Sequence, residues 1–254
     1  MQARSAAALR LQIEHALERS FPAALSPAPC TVYETAPTGL ASIDTLLHGG
    51  LPVGAISELT GPRCSGRTSF ALSFLAQQTS EGHVCAWVDV DDAFDPESAA
   101  ASGLHLNQLL WVRCQKAAGN SAKPFVRIDQ ALRATDLLLQ AGGFAAIVLD
   151  LGDAQAEHAR RIPLATWFRF RQAAGRSRTC LLLLAQVNCA QSSAAVALEF
   201  SPLQPITSGD KVLRGFHYQV NRDRLRATPF VPGQRKPPTS TWHASGSWNV
   251  EESA

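Results

Sequence analysis

A glycine-rich stretch, residues 61–68, holds the side chains best suited to chemistry in this sequence. It begins at Gly61, reaches a second glycine at Gly66, and ends on Arg67 and Thr68. Glycines let a turn curl its backbone N–H groups around phosphate oxygens, and the N-terminus of a following helix adds the positive end of a dipole. Since an apolar run precedes the stretch and a helical segment follows it, we predict a phosphate-binding loop. The predicted nucleotide-binding residues are Gly61, Ser65, Gly66, Arg67, Thr68 and Ser69.

Arg67 departs from the usual form of such a loop, which carries lysine at this position. Lysine is a compact point charge that fits between phosphates, whereas arginine is a longer planar fork. The hydroxyl of Thr68 stands where a ligand of Mg²⁺ belongs. Two interpretations follow: the loop holds a nucleotide such as ATP with Mg²⁺, or it keeps only the shape of such a site.

Two apolar runs end in acidic residues. The run 145–150 ends at Asp150. It is typical of strands that end in an aspartate whose carboxylate orders magnesium at the edge of a sheet. Aspartate is also a common turn residue after a strand, so this ending alone fits either interpretation. Coming after a phosphate-loop pattern, it makes Asp150 a candidate metal ligand together with Thr68. The run 84–89 ends in a second acidic group that includes Asp91.

The order of apolar and helical segments predicts the fold class. Apolar runs typical of strands occupy 55–59, 84–89, 109–112, 145–150 and 179–185, and helical patterns occupy 69–78, 124–140 and 156–174. Each strand is apolar almost throughout, so both of its faces are expected to be buried. Strands that alternate with helices in this way predict an α/β protein whose parallel sheet is covered on both sides.

The first thirty residues predict a separate helix. Residues 5–19 place Leu9, Ile13 and Leu17 on one face, and three prolines follow between residues 20 and 30. An amphipathic helix on a stiff linker either packs on its own domain or docks on a neighbour. We expect three regions: a helix and Pro-rich linker (1–30), a core (31–230) and a C-terminal tail (231–254).

Composition excludes several classes of protein. Apolar residues make up 46% of the chain and charged residues 17%, values typical of a globular protein, and a net charge of +2 does not by itself imply nucleic-acid binding. The six cysteines show no zinc spacing, and the N-terminus has no secretory apolar region. We therefore expect a cytoplasmic protein with reduced thiols.

A basic segment lies near the C-terminus. Between residues 211 and 236 there are seven basic residues against the single acid Asp223, with Phe216 and Tyr218 among them. Basic and aromatic side chains together could follow a nucleic-acid backbone and stack on bases. The alternative is an ordinary solvated edge strand with its arginines on one face. The candidate DNA-binding residues are Arg214, Arg222, Arg224 and Arg226.

Taken as a set, these motifs resemble the bacterial recombinase RecA in order and spacing, over roughly residues 38–200. The resemblance implies a RecA-like core with a mostly parallel sheet flanked by helices, an N-terminal amphipathic helix and a β-rich C-terminal extension. It also implies that Gln186 senses the γ-phosphate and that Asp91 takes the place of the catalytic glutamate. Ser98 takes the place of the tyrosine that stacks on adenine. Only residues 187–193 are left for the second DNA-binding loop, so strand exchange is not expected.

Short RecA-like chains with an arginine in the phosphate loop resemble the ImuA family of bacterial mutagenesis cassettes. This resemblance implies an interaction module for translesion synthesis in the SOS response to DNA damage. The implied partners are an ImuB-like protein related to Y-family polymerases, an error-prone replicative-type polymerase subunit, and RecA.

Three functions stay open at this point. The first is a scaffold that does not hydrolyse ATP. The second is a working ATPase switch in which Thr68, Asp150 and their neighbours hold Mg²⁺-ATP, with Asp91 and Gln186 catalytic. The third is a DNA-binding accessory factor that relies on the basic segment 211–236.

Overall fold

The computed structural model describes residues 33–114, 124–152, 154–207, 213–225 and 238–245. The predicted helix at 5–19, its proline-rich linker and Arg226 lie outside these ranges. The boundaries expected at residues 30 and 230 therefore stay predictions.

The described ranges contain six α-helices, and the one at 96–101 was not predicted from the sequence pattern. In chain order they are α1 (Ala41–Leu46), α2 (Arg67–Ser80), α3 (Pro96–Ala101), α4 (Pro124–Ala141), α5 (Ala156–Arg160) and α6 (Leu164–Ser177). The single helix predicted over 156–174 was wrong, because α5 and α6 are separate. Pro163 lies between them and has no N–H to donate to the preceding turn. Among these helices, none combines the length and apolar composition that a membrane crossing requires.

The strands form one large sheet and a small ribbon. In chain order they are β1 (Thr35–Ala36), β2 (Leu51–Pro52), β3 (Ile56–Thr60), β4 (Cys85–Asp89), β5 (Leu109–Arg113), β6 (Ala146–Asp150), β7 (Cys180–Ala185), β8 (Ala194–Phe200), β9 (Gln204–Thr207), β10 (Leu213–Leu225) and β11 (Thr239–Ser245). Within the described chain, β1 pairs with β2, and the other nine strands form the sheet.

The sheet has a parallel block and an antiparallel extension. Its order is β11-β10-β8-β3-β7-β6-β4-β5, and β9 also pairs with β10. The strands from β8 to β5 are parallel, whereas β9, β10 and β11 join by antiparallel pairs. This confirms the α/β class, the mostly parallel sheet and the β-rich C-terminal extension.

The apolar core lies on both faces of the parallel block. One layer contains the buried rings of Phe70, Phe74 and Trp87, and the other contains those of Trp167 and Phe170. The two layers bury β3 and β6 completely. Since the carboxyl ends of parallel strands meet at one edge, the loops after β3, β4, β6 and β7 are brought together there.

Of the two alternatives for the basic segment, the edge strand was wrong for the part that the structure describes, because β10 lies inside the sheet. β10 pairs with β11 on one side and with β8 and β9 on the other. Its register shifts between Arg222 and Arg224, so the regular alternation of arginines on one face does not continue through this point.

Candidate functional site

The six residues predicted to bind phosphate lie together between β3 and the first turn of α2. The loop leaves β3 after Thr60 and enters α2 at Arg67, with Gly66 as the N-cap. Gly61 has a φ of 154° and Gly66 a φ of 91°, both in the region that favours glycine. The turn that the sequence predicted is therefore formed, and it aims the N-terminus of a fourteen-residue helix at the space above the loop.

Strands β8 and β10 lie directly against this loop. A Cβ built on Gly66 would lie 2.5 Å from the ring of Tyr218 on β10, and one built on Gly61 would lie 2.6 Å from the carbonyl oxygen of Phe200 on β8. The Tyr218 ring is stacked on Trp242 of β11, with ring centroids 4.8 Å apart. Sequence reasoning noticed Tyr218 only as a possible base-stacking residue and missed its contact with the loop.

A cavity of about 660 Å³ opens at the loop. One wall is the loop and the first turn of α2, from Arg63 to Ser69, and the opposite wall consists of Pro202, Leu203 and Phe216. Its volume is in the range of small-molecule sites. One wall offers cations and backbone N–H groups, and the other offers apolar surface, which suits an anion that carries a flat apolar group.

Ser98, which replaces the adenine-stacking tyrosine in the resemblance, does not line this cavity. It is exposed on α3, where its hydroxyl donates a hydrogen bond to the carboxylate of Asp95. Its backbone N–H donates to the same carboxylate at 3.1 Å, so Asp95 caps this helix. The apolar wall of the cavity therefore comes from β10 and the segment before β9.

Arg67 is mostly buried, with 8% of its surface exposed, and it also lines the cavity. A guanidinium needs compensating partners when it leaves water. Its charge favours the ionised form of Asp150, the last residue of β6. Arg67 thus connects the phosphate loop electrostatically to the acidic edge of the sheet.

Asp150 lies in an environment that disfavours its charge. Burial raises the pKa of its carboxyl to about 7, and the nearby carboxylates Asp89 and Asp91 act in the same direction. The N–H of Gly152, which donates to Asp150 Oδ1 at 2.8 Å, and the charge of Arg67 lower the pKa. Near neutral pH this carboxyl is therefore a mixture of its neutral and ionised forms.

Asp91, the predicted catalytic acid, is held in an ion pair. Arg127 Nη1 lies 2.9 Å from Asp91 Oδ1, and the same nitrogen donates to the carbonyl oxygen of Val90 at 3.2 Å. Both side chains are about three-quarters buried. Sequence reasoning missed Arg127, although it lies in the first turn of α4, and helices that follow parallel strands begin at the carboxyl edge of the sheet.

The acids at the end of β4 and just after it also have structural partners. Asp89 is buried and accepts hydrogen bonds from the backbone N–H groups of Phe94 at 2.9 Å and Asp91 at 3.2 Å. Asp92 forms an ion pair with Arg113 of β5 at 2.6 Å. The acidic cluster therefore shapes the turn after β4.

Gln186 directly follows β7 and is half-buried at the same edge of the sheet. A carboxylate that sequence reasoning missed fixes the segment after it: Glu58 of β3 is buried, and its Oε1 accepts the N–H groups of Cys189 at 2.6 Å and Ala190 at 2.9 Å. A charged residue in a strand expected to be buried on both faces was the signal that could have revealed it. The strand that carries the phosphate loop is thus tied to the segment after Gln186.

The candidate DNA-binding arginines have different environments. Arg214 is exposed, whereas Arg222 donates to the carbonyl oxygen of Leu46 and Arg224 donates to that of Gln191. Burial lowers the pKa of Arg222. Two of the four candidates are therefore hydrogen-bonded to the protein's own backbone.

Of the two predicted magnesium ligands, Thr68 lines the cavity and Asp150 does not. Mg²⁺ prefers oxygen ligands, usually carboxylates and phosphates. Thr68 presents an exposed hydroxyl at the cavity, but Asp91 is paired with Arg127, and Arg67 lies near Asp150. In the part of the chain that the structure describes, there is no group of three or more His, Cys, Asp or Glu residues that could hold a metal ion.

Comparison with known proteins identifies relatives of the chain. The family model of the RecA N-terminal domain matches residues 5–160. Protein RecA of Brucella anthropi is 40% identical over 124 residues, which are 48% of this chain and 31% of that protein. Protein RecA of Paracoccus denitrificans is 28% identical over 214 residues, covering 78% of this chain and 55% of that protein. The chain thus spans about half or less of the length of these relatives.

A solved structure agrees with the observed fold. The crystal structure of the RadB recombinase aligns with a TM-score of 0.57 at 17% sequence identity, covering 82% of this chain and 94% of that one. At this identity the likeness shows the α/β architecture alone.

Proposed function

The chain belongs to the RecA N-terminal domain family, and on that basis we propose that it is an ImuA-like accessory protein of DNA repair. In this proposal it binds a nucleotide at the phosphate loop, does not hydrolyse it, and scaffolds an error-prone translesion polymerase complex after DNA damage. The observation that carries the proposal is the ion pair between Asp91 and Arg127.

A carboxylate that activates water must be free to accept a proton from it. Asp91 already receives a charge-assisted contact from Arg127 at 2.9 Å. This contact occupies Oδ1, one of the two oxygens that would have to accept the proton from water. Asp91 is also one methylene shorter than the glutamate it replaces in the resemblance, so its reach to a water molecule is reduced.

Nucleotide binding is supported separately. The cavity of about 660 Å³ has the loop on one side and Phe216 with Leu203 on the other. An arginine can form charge-assisted hydrogen bonds with phosphate oxygens, so Arg67 is compatible with binding. Loss of the base that activates water does not require loss of the ligand.

The proposed partners are the ImuB-like polymerase-related protein, the error-prone replicative-type polymerase subunit, and RecA. The proposed division of the chain is a helix and linker (1–30), the core (31–230) and a tail (231–254). In this arrangement the described core supplies a rigid platform for the partners.

A working ATPase switch is the second candidate. It is favoured by the presence of Thr68, Asp150 and Gln186 at the same edge of the sheet. The DNA-binding alternative is weaker, because Arg222 and Arg224 are engaged with backbone carbonyl groups of the protein.

Reconstitution tests the proposal. We expect the full chain to co-elute with the ImuB-like protein in size-exclusion chromatography and to release no phosphate from ATP above a blank, alone or in the complex. Failure to co-elute would contradict the scaffold. Steady phosphate release that Asp91→Asn abolishes would instead identify the ATPase switch.

A further inference from the structure

We propose that His217 and His243 form a zinc site on the C-terminal antiparallel extension of the sheet, where the two imidazoles hold the ion and water completes its coordination. Neither histidine lines the cavity at the phosphate loop. The inference is therefore independent of the nucleotide binding proposed above.

The two imidazoles face each other across neighbouring strands. His217 of β10 and His243 of β11 are directly opposite each other in the antiparallel register, so their side chains lie on the same face. Their Nδ1 atoms are 3.2 Å apart, and their ring centroids are 4.6 Å apart. Two nitrogens bound to one tetrahedral zinc ion at about 2.0–2.1 Å are about 3.3–3.4 Å from each other. The strand pairing thus holds two nitrogens almost at the spacing of two ligands of one zinc ion.

The chemistry of the pair selects a transition metal. Imidazole nitrogen suits zinc, copper and nickel, whereas magnesium and calcium prefer oxygen ligands. The right angle of a square-planar copper site would bring the two nitrogens to about 2.8 Å, so the observed spacing favours tetrahedral zinc. In the metal-free protein the contact is a hydrogen bond in which one Nδ1–H donates to the other Nδ1. When zinc binds, both rings carry their proton on Nε2, and both Nδ1 atoms donate a lone pair to the ion.

The surroundings of the pair suit a hydrated ion. His243 is exposed and His217 is partly exposed. Gln204 of β9 is the cross-strand neighbour of His217 on its other side, and Gln219 and Thr241 form the next pair on the same face. Amide and hydroxyl groups at these positions can hydrogen-bond to zinc-bound water. Among the described residues no third His, Cys, Asp or Glu joins the pair, so water fills the remaining coordination positions.

The residues that follow the two histidines connect this site to the phosphate loop. Tyr218 precedes Trp242 in the stack on the opposite face of the two strands, with ring centroids 4.8 Å apart, and Tyr218 lies against Gly66. In the described chain β11 is the last strand of the sheet and is hydrogen-bonded to β10 alone among the strands. A zinc ion that bridges β10 and β11 therefore fastens the strand that carries Trp242, and with it the aromatic support of the loop.

The direct test is calorimetric titration of the untagged full chain with zinc chloride. We expect a single zinc ion per chain, and we expect thermal unfolding to occur at a higher temperature with zinc than with EDTA, because a ligand of the folded state stabilises it. Absence of zinc binding by the unsubstituted chain would overturn the inference.

Three variants locate the site. His217→Gln and His243→Gln each remove one imidazole and keep a polar side chain on the exposed face of the strand. Outer-shell partners of a metal are typically worth about 10–100-fold in affinity, so loss of one of two direct ligands should weaken zinc binding by about tenfold or more and remove most of the thermal shift. His105→Gln is the matched control, because His105 is an exposed histidine outside the pair, and its zinc affinity should equal that of the unsubstituted chain. Equal zinc affinity in all three variants would place the metal elsewhere and overturn the inference.

Discussion

Replacing Gly66 by alanine should destabilise the protein through a contact that links the phosphate loop to β10. Gly66 has a φ of 91°, and a Cβ at this position would lie 2.5 Å from two ring carbons of Tyr218. Placing a residue other than glycine in this left-handed conformation lowers the free energy of unfolding by roughly 1–2 kcal/mol. Carbon atoms prefer separations of about 3.5–4.0 Å, so the ring or the loop must also move.

The Tyr218 ring has little room to move. It is 6% exposed, and Trp242 is stacked on it with an interplanar angle of 10°. Forcing an extra carbon into a packed region costs about 1–3 kcal/mol. Together with the backbone cost, Gly66→Ala should lower the free energy of unfolding by about 2–5 kcal/mol.

Gly82 provides a matched control. Its φ is 87°, close to that of Gly66, but a Cβ there would meet no atom within 4 Å. Gly82→Ala should therefore cost only the backbone part, about 1–2 kcal/mol. Urea unfolding followed by tryptophan fluorescence measures the loss of unfolding free energy in both variants. In a Tyr218→Ala background, Gly66→Ala should lower the free energy of unfolding by no more than Gly82→Ala does. Equal losses for the two single variants would refute the contact between the loop and Tyr218.

Two further substitutions test the acids of the site. Glu58→Leu leaves the buried N–H groups of Cys189 and Ala190 without their acceptor. In urea titrations it should lower the free energy of unfolding by about 2–5 kcal/mol. Glu58→Gln keeps one acceptor oxygen and should lower it by less. Burial raises the pKa of Asp150 from 3.8 to about 7 in the folded protein, so the folded state binds a proton that the unfolded state releases. The stability that this protonated carboxyl contributes is therefore fully present below pH 3.8 and is lost as the pH rises to about 7. Asp150→Asn should therefore gain stability relative to the unsubstituted protein as the pH rises through this interval, and a constant difference between the two would contradict the raised pKa.

Much of the fold could be predicted because its signals are local. The strand–loop–helix unit from β3 to α2 follows from an apolar run, glycines at set positions and a helical segment. The strand endings at Asp89 and Asp150 could be read in the same way. The break at Pro163 was also visible in the sequence, and the continuous helix predicted across it gave too little weight to the proline.

The contacts that decide the site could not be predicted, because they join distant parts of the chain. Nothing near Gly66 in the sequence indicates that Tyr218 packs on it, and the position of β10 inside the sheet depends on strand order, which local patterns do not encode. The pairing of Asp91 with Arg127 likewise depends on how α4 lies over β4. The sequence pattern suggested chemistry at Asp91, and the fold shows a partner that changes what this residue can do.

The most direct test of the central claim is the chemical identity of the nucleotide after prolonged contact with the protein. The purified full chain is incubated with ATP, separated rapidly from free nucleotide, denatured, and its bound nucleotide identified by anion-exchange chromatography. The account predicts that the nucleotide recovered is ATP, because Arg127 holds Asp91, the carboxylate that takes the catalytic position in the resemblance. Recovery of ADP in proportion to the protein, absent from a mock incubation, would contradict it.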